Sequence, residues 1–182
     1  MPGWVTVAAL TDADSTIALR PVQQNRTVYR VQGAGSEYLL LENRQRIGSD
    51  RFLAGQGLLV WHIDPERAEL GAWNSDERRS AVGIIEADRA DDLARGRRAD
   101  SGDTYPGRTG RTSLATELAG GMQLTAIEQD GRIIRGNVVT GVQHRALIAS
   151  PEVVRATALA GGEPVHQRVA IRRTGPTPID WT

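Results

Sequence analysis

The chain has 182 residues, 22 acidic and 22 basic, with 40% hydrophobic residues, zero net charge and no cysteine. All 22 basic residues are arginine, lysine being absent, which excludes a Gly-Lys phosphate loop and a Schiff-base lysine, while the lack of cysteine excludes disulfides and thiolate metal centres. Balanced charge argues against nucleic acid as a partner, and no apolar run approaches the ~20 residues of a membrane span.

The opening MPGWVTVAAL lacks the basic stretch of a signal peptide, so none is expected in this chain. WVTVAAL (4–10) and STIALRPV (15–22) flank the polar turn TDAD (11–14) and predict a hairpin. TVYRVQ (27–32) and EYLLLE (37–42) predict two further strands, and a Gly-rich loop (46–57) leads into LLVWHID (58–64). SAVGIIEA (80–87) is another β-branched run, followed by a long polar loop over roughly 88–112. That loop carries ARGRRAD (94–100), read as a solvated arginine cluster among Asp91, Asp92, Asp100 and Asp103. In QLTAIEQDGRIIRGNVV (123–139), Asp130-Gly131 separates two alternating runs and predicts a tight type I′ hairpin. SPEVVRATALAGG (150–162) switches to a helical period, with Ser150 as N-cap, Pro151 at the first helical position and Gly161 as a stop. VHQRVAIRR (165–173) predicts a last strand before a Pro-rich tail. The expectation is a mainly β protein. An antiparallel β-sandwich-like domain with long loops fills 1–143, and 144–182 adds one short helix, a strand and the tail.

In GLLVWHIDPE (57–66), His62 and Asp64 fall on one face of a strand, roughly 6.5–7 Å apart. No HExxH helix accompanies them, and His144 and His166 lie on other segments, so His62 reads as a hydrogen-bonded structural residue rather than a zinc ligand. No G-x-S-x-G turn is present, which leaves a hydrolase using His62 with Asp64 as the weaker alternative. A carbohydrate- or protein-binding β module is the other alternative, with Trp4, Trp73 or Trp181 as stacking surfaces. Carboxylates gather in EADRADD (86–92) and ADSGD (99–103). Such loops are either solvated or host calcium, which takes about six to eight oxygen ligands.

The ordered series GW (3–4), EYLLLENRQ (37–45), GQGLLVWHID (55–64), IIEADRADDL (84–93) and SGDTYPG (101–107) resembles the immune-inhibitor-A family of secreted bacterial zinc metallopeptidases, in the β-rich region after the catalytic zinc motif. The resemblance covers about residues 3–140. The chain departs from it at Ala87-Asp88-Arg89, where the family has a glycine, and at Thr104-Tyr105, where Pro-Phe is usual. It implies a non-catalytic accessory or scaffold region, secreted or at the cell surface, cut off from an upstream catalytic domain that would be its partner and would hold the zinc. It also implies a polar cluster of Glu42, Asn43, Arg44, His62 and Asp64 fixing strand ends. Calcium is the cofactor it favours, with Asp88, Asp100 and Asp103 as first ligands and Asp64 and Glu86 in reserve.

Overall fold

The computed structural model describes residues 4–32, 35–71 and 80–140, together with the backbone of 147–150 and 170–173. The chain divides into two units, Met1–Val142 and Gln143–Thr182. The first is mainly β, with strands β1 (Thr6–Leu10), β2 (Asp14–Leu19), β3 (Thr27–Gln32), β4 (Tyr38–Arg44), β5 (Gly57–Ile63), β6 (Val82–Ile84), β7 (Leu114–Thr116), β8 (Met122–Asp130) and β9 (Ile133–Thr140). Two short helices, α1 (Val22–Asn25) and α2 (Pro65–Glu69), interrupt them. In the second unit, β10 (Leu147–Ser150) and β11 (Ala170–Arg173) pair antiparallel. The helix expected over 150–162 lies outside the described residues, apart from Ser150 itself, which ends β10.

The first unit stacks a five-stranded sheet, β1-β3-β4-β5-β6, on a four-stranded sheet, β2-β9-β8-β7. Strand alternation explains the core between them. Val31, Leu39, Leu41, Leu58 and Val60 point inward from the first sheet; Ile17, Leu19, Leu124, Ile134 and Val138 point inward from the second. Unbroken alternation from Met122 and Leu124 would bury Ala126 and Glu128. A bulge between Thr125 and Glu128 reverses the phase instead, burying Ile127 and leaving Glu128 exposed.

Three expectations are corrected. The segments 4–10 and 15–22 do not form a hairpin: β1 runs parallel to β3, and β2 pairs with β9 in the opposite sheet. None of residues 11–13 takes a positive φ, so the chain crosses between sheets where a tight hairpin would need such a residue. The β8–β9 turn is two residues long, because Asp130 pairs with Ile133. Of Gly131 and Arg132 only Gly131 has positive φ (61°), the type II′ pattern, since arginine resists the second left-handed position of type I′. β6 is also shorter than the apolar run 80–87, because Ala87 leaves the sheet to donate its N–H to the Asp103 carbonyl, 3.1 Å away.

Candidate functional site

The segment from Glu86 to Pro106 is tied at its base to the first sheet. Tyr105 and Leu58 exchange backbone hydrogen bonds of 2.9 and 2.7 Å, and Thr104 Oγ1 donates to the Gln56 carbonyl at 2.8 Å. The Tyr105 ring enters the core, and burial pushes its phenol up to about 12. Ala87 and Asp88 donate their N–H groups to the carbonyls of Asp103 and Gly102. The two arms of the loop therefore lie side by side, and their carboxylates converge.

Glu86, Asp88 and Asp103 place ligand oxygens within 4.8 Å of one another, the one group of three or more potential metal ligands among the described residues. Each is partly engaged. Both Glu86 oxygens accept backbone N–H groups, from Leu93 and Asp92, at 2.9 Å each. Asp88 Oδ1 accepts from Ala90 N at 3.0 Å, and Asp103 Oδ2 from Asp100 N at 2.9 Å. Asp103 is 3% exposed, and its Oδ1 is buried with no hydrogen-bond partner. Burial raises the Asp103 pKa, the hydrogen bond from Asp100 N opposes the rise, and the charges of Glu86, Asp100 and Asp88 add to it. Gly102 makes the convergence possible, since a Cβ there would overlap the Asp88 carboxylate. A cleft of about 270 Å³ lined by Arg44, Leu59, Trp61 and Thr104 has Asp103, of the three, in its wall.

The other ligands read in the sequence are not members of that group of three. Asp100 turns to Gly102 N and to Arg108 Nη2, the latter at 3.2 Å. Asp64 caps α2, accepting Arg67 N at 3.2 Å. The five residues of the expected polar cluster fall into separate groups, because β4 and β5 alternate faces. Glu42 and Arg44 share the outer face of the first sheet, ion-paired to each other. Arg44 also meets Asp50 at 2.8 Å, and Trp61 Nε1 donates to Glu42 at 2.9 Å. The hydrogen bond from Arg44 lowers the Asp50 pKa.

Asn43 points the other way and is fully buried. Its Nδ2 donates to the carbonyls of Leu19 and Arg132, both at 2.7 Å, while Oδ1 accepts from Gln45 at 2.7 Å, so one amide joins the two sheets. His62 also faces inward, beyond Val60, and its Nε2 meets Glu37 Oε2 at 3.1 Å. The same Glu37 oxygen accepts Ala119 N at 3.4 Å. A cleft of about 660 Å³ opens there, lined by Glu37, His62, Asp64, Ser80, Val82 and Leu118 among others.

Glu37 was not read in the sequence. The β4–β5 register pairs Leu39 with His62, which puts position 37 diagonally across from the histidine. Trp4 is 94% exposed, while Trp73 and Trp181 lie outside the described residues, as do His144 and His166. No protein-family model, curated protein or solved structure matches this chain. No helix among the described residues is long and apolar enough to cross a membrane.

Proposed function

We propose that the chain is a non-catalytic accessory or scaffold region of a secreted metallopeptidase-like protein, and that calcium bound by Glu86, Asp88 and Asp103 fixes its long loop. The observation that carries the cation is Asp103 Oδ1. A buried carboxylate oxygen without a donor, facing two more carboxylates, is costly as it stands and suited to a hard cation. The all-oxygen set favours calcium over zinc, which prefers nitrogen and sulfur. His62 is held by Glu37 outside that group, so among the described residues no histidine joins a metal-ligand set.

The outer face of the five-stranded sheet supports the accessory reading. Leu40, Leu59, Trp61, Ile63 and Ile84 are half-buried there, and Val7 is 51% exposed at the edge strand. A sheet that carries apolar side chains on its outer face as well, beside the Glu42–Arg44 pair, suits a chain with a protein neighbour, here the upstream catalytic domain that the family resemblance implies.

Terbium titration tests the cation. Trp61 lines the cleft that reaches Asp103 and would sensitise bound terbium. The expected result is saturable emission that calcium displaces. Emission that neither saturates nor yields to calcium refutes the site. Incubation with zinc and casein tests the accessory part. No cleavage is expected, and cleavage that a chelator abolishes contradicts it.

A further inference from the structure

The carboxylates assigned to calcium also hold the two feet of the arginine loop. Glu86 grips Asp92 N and Leu93 N, and Asp103 grips Asp100 N. Between these feet, residues 94–99 are all exposed and carry Arg95, Arg97 and Arg98. The first half is a tight turn, with N–H groups of Arg95, Gly96 and Arg97 donating to the carbonyls of Asp91, Leu93 and Asp92. Gly96 supplies the positive φ, at 69°. An endoprotease needs its substrate extended, so this loop must open locally before it is cut. Opening pulls on the hydrogen bonds to Glu86 and Asp103. With three crowded carboxylates and no cation, repulsion assists that opening; with a cation bridging them, opening disturbs its ligands.

Resting on the calcium reading above, we propose that Arg95–Arg98 is a cation-gated processing site for an arginine-specific endoprotease. The bonds cut are Arg97–Arg98 and Arg98–Ala99. Hydrolysis adds one water across the amide: hydroxyl goes to the arginine carbonyl carbon, and a proton goes to the released nitrogen. The two pieces stay associated after the cut. The N-terminal piece contributes β2 to the second sheet through its six-residue pairing with β9, and Leu58 remains bridged to Tyr105. The cut frees Ala99, which lines both clefts, and so opens the entrance beside Trp61 and Asp103.

The test is limited trypsin digestion of the whole chain, in chelator and in saturating calcium, with fragments assigned by intact mass. Cleavage within 95–98 is expected in chelator and should slow by up to about 100-fold at calcium near a hundred times its Kd. Arginines in other loops are expected to be cut at the same rate in both conditions. Replacing Arg95, Arg97 and Arg98 by Gln should remove only the calcium-sensitive fragments, and the nicked wild-type pieces should co-elute under native conditions. Saturable terbium binding with calcium-insensitive cleavage at 95–98 overturns the gate and leaves the cation site standing. Absence of terbium binding overturns both. Persistence of calcium-sensitive fragments in the triple variant, or separation of the nicked pieces, also overturns the proposal.

Discussion

Asp103→Asn separates two effects that most substitutions mix. In the cation-free domain, Asp103 crowds Glu86 and Asp88 within 4.8 Å. Two unit charges at that separation repel by about 3.5 kcal/mol per pair at an effective dielectric of 20, and solvent and local relaxation reduce the net cost to roughly 1–3 kcal/mol. Asparagine removes that charge and keeps an oxygen to accept the N–H of Asp100. D103N should therefore be more stable than wild type in chelator, by roughly 1–3 kcal/mol, and should gain little from calcium. Urea denaturation in chelator and in calcium measures both terms. A variant destabilised in chelator, or one that keeps the full calcium gain, refutes the reasoning.

The pH dependence follows from the same group. A carboxyl whose folded pKa lies above its unfolded value of about 3.8 binds more protons folded than unfolded between the two, so stability falls as pH rises through that window. Asp50, lowered by Arg44, contributes the opposite slope below its unfolded value. The difference between wild type and D103N in chelator isolates Asp103, and a wild-type disadvantage that fails to grow on raising pH above about 3.8 contradicts the assignment. Asn43→Ala strands two carbonyls and the Gln45 amide in the core. It should cost roughly 3–5 kcal/mol in urea titration, and a loss below about 1 kcal/mol would show that the two sheets do not depend on this amide. His62→Ala should lower stability by roughly 1–3 kcal/mol through the loss of its bond to Glu37. Unchanged stability with loss of a measurable hydrolysis would instead favour a catalytic histidine.

The sequence made the strands legible where alternation and turn chemistry agreed. β3 coincides with the run 27–32, and the hairpin around Gly131 sits between the two runs that predicted it. It was silent where pairing is non-local. Nothing in WVTVAAL and STIALRPV says that they enter different sheets, because that choice depends on partners more than a hundred residues away in the case of β9. The three-residue β7 carries too short a pattern to read, and the bulge in β8 is visible only once Glu128 needs an exposed position.

At the candidate site the residue types were legible and their grouping was not. The acidic loop offered Glu86, Asp88, Asp100 and Asp103, but which carboxylate turns inward depends on how the two arms lie together. Asp100 is engaged by Gly102 N and Arg108, and Glu86 rather than Asp100 completes the group with Asp88 and Asp103. Period-two alternation along β4 does separate Asn43 from Glu42 and Arg44, so the split of the polar cluster was available in principle from the buried positions 39 and 41.

Calcium-dependent thermal stability tests the central claim most directly. A cation that binds only the folded domain contributes about 2.7 kcal/mol at a hundred times its Kd. Spread over the unfolding entropy of the Met1–Val142 unit, that is a rise in Tm of about 9 °C. Calorimetry in calcium against chelator should show that rise in wild type and not in D103N. Equal Tm in both conditions for wild type, at calcium concentrations up to the millimolar range, would contradict the account.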